Sequence, residues 1–254
     1  LIDYGADVSI KEGAYGAAAL QAACQNSKIS IPVIQMLLEK GADVNARGGY
    51  YGNALNALCQ LETGQERKLE AVKLLLSYGA DVRTEAGCYG TALQATCACP
   101  EEYGRENIAR LLIRSGADVN TQGGRYGTAL QAACEVGTMA VVRLLLEEGA
   151  LVNVEGGYHG TAFQAACAKG HIEVVQFLLD ICPNIDINAQ GGLFGSALQA
   201  AAYSGQTPTI NLLLSKGAHV NARGGKYGSA LNAAVIARNW DIVQILLEAG
   251  AVPD

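Results

Sequence analysis

The 254-residue chain carries 18 Lys and Arg against 24 Asp and Glu, a net charge of −6, and half of its residues are hydrophobic. That is enough apolar surface for a substantial core and excludes a disordered chain. The longest basic run is Arg67-Lys68, and no apolar stretch long enough for a bilayer is free of glycine or charge, so neither nucleic acid nor membrane is expected as a partner.

The predicted elements are organised by a repeat. An anchor recurs at Leu20, Leu55, Leu93, Leu130, Phe163, Leu198 and Leu231, at spacings of 35, 38, 37, 33, 35 and 33, a solenoid-type period. Residues 1–9 match text found mid-repeat elsewhere (Leu76-Ser77-Tyr78-Gly79-Ala80-Asp81) and read as the remnant of a truncated upstream unit, the chain being a piece of something longer. Repeats follow over approximately 10–45, 46–83, 84–120, 121–153, 154–188, 189–221 and 222–254, a single array over 1–254. The first holds an extra residue before Leu20, and its register is open. In the first three repeats, anchor-to-capping-glycine distances of 21, 24 and 23, against 19 in the fourth, sixth and seventh, predict protruding loops at 26–32, 61–68 and 99–106. The fifth replaces its capping glycine by Cys182-Pro183-Asn184. The seventh ends on an apolar helix, 242–247, without evident polar caps.

Within a unit, Thr, Ser or Asn two residues before the anchor (Asn53, Thr91, Thr128, Thr161, Ser196, Ser229) is placed to cap a short first helix. A second helix with an apolar stripe follows, as in Val141-Val142-Arg143-Leu144-Leu145-Leu146. Gly41, Gly79, Gly116, Gly149, Gly217 and Gly250 fall just past it. An Ala-Asp-Val-Asn segment and a Gly-Gly-x-Tyr-Gly turn then lead to the next unit. One such unit cannot bury its own apolar face, so stability comes from stacking.

Five of the eight cysteines (Cys24, Cys59, Cys97, Cys134, Cys167) recur four residues after the anchor. Equivalent residues one repeat apart, at helix-packing distances of roughly 8–10 Å, are too far apart for disulfides. They are expected to be reduced and structural, which suits a cytoplasmic or nuclear setting.

These units resemble ankyrin repeats over nearly the whole chain. Ala168-Lys169-Gly170-His171-Ile172-Glu173-Val174-Val175, Gly116-Ala117-Asp118-Val119-Asn120 and Gly41-Ala42-Asp43-Val44-Asn45 are similar to the family's helix-loop-helix and hairpin signatures. The resemblance implies an all-α ankyrin-repeat solenoid of about seven helix-loop-helix units with hairpin-like connecting loops. The departure is at the helix opening, where alanine replaces the family's usual proline and Gln or Asn follows the anchor. The Tyr-Gly-Thr-Ala-Leu-Gln-Ala-Ala variant resembles arrays at the C-termini of large fungal proteins, including NACHT-type NTPase receptors.

The polar ladder Gln21, Asn56, Gln94, Gln131, Gln164, Gln199 and Asn232 is expected to bond to hairpin backbones, because buried amides must be satisfied. Asn45, Asn120, Asn153, Asn188 and Asn221 are expected to organise turns, with Arg83 the exception. The row Tyr51, Tyr89, Tyr126, His159, Phe194 and Tyr227 has two readings: mutual packing, or a ledge for a partner. The Gly-Gly-Lys-Tyr-Gly-Ser segment at 224–229 lacks the spacing of a P-loop, no catalytic grouping is present, and neither cofactor nor metal is expected.

Partner-binding residues are sought where repeats differ at equivalent, exposed positions. Eight residues before the anchor these include Arg47, Glu85 and Arg223; five before it, at the turn tips, Tyr50, Arg125, Tyr158, Leu193 and Lys226; at first-helix ends, Glu135, Lys169 and Tyr203. Aromatic and Arg side chains dominate hot spots, so Tyr50, Arg125, Tyr158, Leu193 and Tyr203 are the expected anchors, and alanine at Tyr158 and Tyr203 should weaken binding with the melting transition intact. By resemblance these positions line the concave, hairpin-side surface. The expected function is a non-catalytic protein-protein interaction module for a protein or peptide; the alternative is a sensor or autoinhibitory segment of a larger fungal NTPase receptor. End-to-end self-association through the truncated ends is a further expectation.

Overall fold

The computed structural model describes residues 19–62, 65–100 and 104–253. Among them short first helices alternate with longer second helices. The first helices are α1 (Ala19–Cys24), α3 (Ala54–Gln60), α5 (Ala92–Ala98), α7 (Ala129–Val136), α9 (Ala162–Lys169), α11 (Ala197–Ser204) and α13 (Ala230–Ile236). The second helices are α2 (Ile31–Glu39), α4 (Gln65–Ser77), α6 (Arg105–Arg114), α8 (Met139–Glu147), α10 (Ile172–Ile181), α12 (Thr207–Ser215) and α14 (Trp240–Glu248). The described residues contain no strand beyond isolated bridges that close the hairpins, such as Gly48 to Gly52 and Gly224 to Gly228. The remnant expected at 1–9 and the register of the first helix opening lie outside the described residues.

The first helices begin where the capping residues place them. The Thr91, Thr128, Thr161 and Ser196 side chains each accept the backbone N–H of the Gln three residues on, and that Gln side chain accepts the N–H of the cap in return. This reciprocal box satisfies two of the donors a helix start leaves orphaned. The Asn53 and Ser229 side chains likewise accept the Asn56 and Asn232 N–H, without the reciprocal box. Helices α7, α9 and α11 end at Gly137, Gly170 and Gly205; in the last pair Arg238 takes that place, with a positive φ of 61°.

Alanines on the first helices let neighbours approach closely, so within residues 19–125 and within 126–253 these helices pack on one another along their length while second helices touch more lightly. Each anchor Leu or Phe is buried, as are Val141, Val142, Leu144 and Leu145 on α8, each aliphatic side chain contributing about 1.5–3 kcal/mol by leaving water. The recurring cysteines fill the same seam as free thiols. Burial pushes Cys24 and Cys97 up to about 12 and Cys59 to about 11, leaving them inert packing groups at neutral pH.

The chain folds as two compact units, Leu1–Arg125 and Tyr126–Asp254. Of the expected protruding loops, Asn26, Ser27 and Lys28 of the first are exposed, while residues 63–64 and 101–103 of the second and third lie outside the described residues. Ile31 and Pro32 open α2 and Ile29 is buried. Lys68 lies inside α4, buried, and its ammonium donates to the Leu61 carbonyl at 2.7 Å, with the Cys99 thiol 3.8 Å away. Cys99 and Arg105 are buried as well. Lys68 and Cys99 bond to backbone carbonyls at the C-terminal end of α3.

The hairpin asparagines do more than organise turns. The turn itself is held by aspartate: Asp43, Asp81, Asp118 and Asp186 accept the N–H two residues on. The asparagines reach forward to the next repeat. Asn45 donates to the Gly79 carbonyl and accepts the Asp81 N–H; Asn221 does the same with Gly250 and Val252. Arg83 donates to the Gly116 carbonyl, so the exception in sequence fills the same place in the fold.

Candidate partner-binding surface

The amide ladder fixes where the hairpins sit. Gln164 Nε2 donates to the Ala189 and Gly195 carbonyls at 2.9 and 2.8 Å, and Gln199 Nε2 to Gly224 and Gly228 at 2.9 and 3.0 Å. Gln131 reaches Val154, Gly156 and Gly160, and in the first unit Asn56 reaches Ala86 and Gly90. One side chain therefore caps its own helix and clamps the following hairpin.

The tips are then tied to one another through the backbone. In the first unit the Cys88 N–H donates to the Tyr50 carbonyl at 3.1 Å and the Arg125 N–H to the Cys88 carbonyl at 2.8 Å. In the second, Leu193 donates to Tyr158 at 3.0 Å and Lys226 to Leu193 at 2.8 Å. The five tip residues singled out in the sequence thus stand in two hydrogen-bonded files, Tyr50 and Arg125 in one, Tyr158, Leu193 and Lys226 in the other.

Beneath the tips lie the rings of the aromatic row. Tyr51 and Tyr89 stack with centroids 6.3 Å apart, and His159 and Phe194 with centroids 5.8 Å apart. The tip tyrosines lie edge-on across these pairs: Tyr50 is 5.1 and 6.2 Å from Tyr51 and Tyr89, and Tyr158 is 5.0 and 5.8 Å from His159 and Phe194. Mutual packing accounts for these rings of the row, and the open aromatic faces belong to the tips, Tyr50 at 61% and Tyr158 at 47% exposure.

Not every candidate position is exposed. Tyr203 stacks on Tyr227 at 4.6 Å and packs against Phe194 at 5.3 Å, and interaction with the neighbouring Tyr203 phenol is the main cause that pushes the Tyr227 phenol up to about 12. Leu193 is half-buried against the same cluster. An alanine at Tyr203 removes ring packing as well as any partner contact, so the expectation of an intact melting transition holds for Tyr158 far better than for Tyr203. Arg47, Glu85, Arg125, Lys169, Arg223 and Lys226 are exposed.

Glu135 departs furthest from the expectation of exposure, with its side chain only 12% accessible. Its carboxylate lies 3.2 Å from Lys169 Nζ and 3.4 Å from His159 Nε2. The imidazole contact is not a well-formed hydrogen bond, and His159 itself is buried with neither ring nitrogen bonded. His171 Nε2 sits 2.9 Å from the Glu135 carbonyl oxygen. Burial acts to raise the Glu135 carboxyl, but His159 and Lys169 outweigh it and hold the group below the usual carboxylate range.

A depressed carboxylate stabilises the fold above its unfolded value, about pH 4.3, and that contribution is lost as pH falls through the lower folded value. Glu135→Gln should therefore flatten the acid limb of a urea-stability-against-pH curve while changing its alkaline limb little. An unaltered acid limb would show that the three groups do not interact in solution.

The sequence analysis missed this node because its members come from different repeats, 24 and 34 residues apart. It also passed over Trp240, which is 63% exposed on the first turn of α14 beside Arg238 and Thr207. Among the described residues no three His, Cys, Asp or Glu side chains are placed to hold a metal ion, and no helix is long and apolar enough to cross a membrane.

A family model comprising three ankyrin repeats matches residues 96–191 and 183–254, and a single-repeat model matches residues 15–49. A search of the curated proteins finds no match. With the helix pairs, the clamped hairpins and matches spanning most of its length, the chain belongs to the ankyrin-repeat family.

Proposed function

We propose that this chain is a binding module without catalysis of its own, and that it holds a protein or peptide on the hairpin side through the tip residues and neighbouring first-helix ends. The observation that carries this reading is the exposed ring of Tyr158, held edge-on over His159 and Phe194 in a backbone-bonded file. A rigid aromatic side chain offers large contact area at low entropic cost, and ankyrin repeats imply protein partners. Leu193, Lys226 and Arg223 extend that contact in the second unit, and Tyr50, Arg125, Arg47 and Glu85 offer a counterpart in the first. Tyr203, Glu135 and Lys169 shape the floor beside Tyr158.

The test is selection of binders from a random displayed peptide library against the whole chain. Tyr158→Ala should weaken the selected peptides by about tenfold or more, the effect of losing a hot-spot ring. Its stability cost should stay within about 1 kcal/mol, the worth of exposed edge-to-face contacts. Binders indifferent to both Tyr158 and Tyr50 would refute the hairpin side. In the reading suggested by the resemblance to fungal receptor arrays, the occupant of the same surface is another segment of a longer polypeptide, and a P-loop upstream of Leu1 would favour it.

A further inference from the structure

Two departures from the repeat meet inside the second unit. The other places of the aromatic row hold Tyr51, Tyr89, Tyr126, Phe194 and Tyr227, so His159 is its one imidazole. The equivalents of Glu135, five residues after each anchor, are Gln25, Gln60, Ala98, Ala168, Tyr203 and Ile236, none of them an acid. These two exceptions face each other. One Glu135 carboxylate oxygen lies 3.4 Å from His159 Nε2, and the other lies 3.2 Å from Lys169 Nζ. The Glu135 and His159 side chains are buried, whereas Lys169, at 45% exposure, reaches solvent.

The protein hydrogen-bonds neither ring nitrogen of His159, and a buried polar group left unmade is costly. A protonated imidazole donates from both nitrogens and carries a charge, and histidine is the side chain whose charge ordinarily changes between about pH 5 and 8. The counter-charge is in place: the Glu135 carboxyl, held below the usual range, stays ionised over that interval. The other ionisable groups nearby are few. Tyr158 and the exposed Glu155 belong to the same hairpin, Lys169 to α9, and Tyr126 to the segment packed on Gly157. The following hairpin sets Phe194 against the ring and carries no ionisable side chain, and His171 bonds the Glu135 carbonyl rather than its carboxylate.

We infer that Glu135, His159 and Lys169 form a proton-operated tie: a charged His159 takes over the carboxylate from Lys169, fixes the hairpin beneath Tyr158 and tightens the chain's hold on its peptide. The inference rests on the hairpin side being the binding face, and it adds the regulation of that face. Lys169 can give up the carboxylate because its side chain reaches water, whereas a buried imidazolium left unpaired would be costly. The tie acts on the binding residue directly. Tyr158 adjoins His159 in the chain, its ring lies edge-on 5.0 Å from the imidazole, and its carbonyl accepts the Leu193 N–H of the tip file. A tip already held in its bound geometry loses less freedom on binding.

The test uses peptides selected on the whole chain, free of His and Cys and blocked at both ends, so that they do not titrate between about pH 5.5 and 8. Binders that need Tyr158 should bind about fivefold more tightly at the lower pH than at the higher, the low end of couplings between two binding events. By reciprocity the complex should take up protons, so its binding heat midway in that range should depend on the ionisation heat of the buffer. His159→Phe, the residue at the equivalent place of the next unit, should keep the ring stack and abolish both effects. Glu135→Gln should abolish them too, and it replaces the ring variant if that one disturbs folding.

Tyr158-dependent peptides that bind equally at both pH values, bind more tightly at the higher one, or keep their pH response in His159→Phe would overturn the tie and leave the hairpin-side reading standing. Peptides indifferent to both Tyr158 and Tyr50, or no enrichment at all, would overturn both.

Discussion

Gly225→Ala is expected to lower the stability of the second unit by about 3 kcal/mol, whereas Gly217→Ala, eight residues away, should cost about 1 kcal/mol. Both glycines have positive φ, 60° and 87°, a conformation that costs an alanine about 1–2 kcal/mol. They differ in what surrounds them. A Cβ on Gly217 would meet nothing within 4 Å, while one on Gly225 would land on the Phe194 carbonyl and the Gly195 nitrogen. Those atoms are backbone and cannot swing aside, so the hairpins must separate, adding an overpacking cost of about 1–3 kcal/mol. The next residue, Lys226, makes the tip-to-tip hydrogen bond to Leu193, so the same substitution should loosen the file that positions the binding residues. Equilibrium urea unfolding of the two variants checks this; equal losses would mean that the hairpins do not pack backbone against backbone.

That contrast also shows where sequence reasoning succeeds. A role that belongs to one repeat is copied in every repeat, so the caps at Thr91, Thr128 and Ser196, the amide ladder and the buried cysteines could be read from periodicity. The placement of Tyr50, Tyr158 and Lys226 at turn tips followed from the same register. What could not be read is how side chains that are not copied meet across neighbouring repeats. Glu135 lies in the last turn of α7, His159 lies under a hairpin tip and Lys169 ends α9; none shows in sequence that the three converge. Tyr203 looked like a free anchor because its ring partners, Phe194 and Tyr227, sit on two different hairpins. The ends of the insertions hold another feature of this kind. Lys68 and Arg105 turn inward, and a long side chain with a buried stem and a bonded head leaves no periodic trace.

Gln199→Leu is expected to cost about 3 kcal/mol, several times the cost of deleting the helix cap beside it. In the intact protein Gln199 Oε1 accepts the Ser196 N–H at 2.7 Å, while Nε2 donates to the Gly224 and Gly228 carbonyls. Gly228 keeps a second partner in the Gly224 N–H. A leucine of similar volume keeps the packing but leaves the Ser196 N–H and the Gly224 carbonyl without these bonds, and each buried group left unmade costs about 1–3 kcal/mol. Ser196→Ala removes only the cap acceptor for the Gln199 N–H, about 1 kcal/mol. Gln199→Glu separates the two halves of the role. A carboxylate can still accept from Ser196, but its other oxygen faces two carbonyls, so its folded pKa must rise above the unfolded value of about 4.3. The penalty of that variant is smallest below pH 4.3 and grows as pH rises toward the folded pKa; a urea-stability profile against pH should show it. If Gln199→Leu proves no more costly than Ser196→Ala, the glutamine is a cap alone, and the hairpins with their tip residues are held in place by something other than the amide ladder.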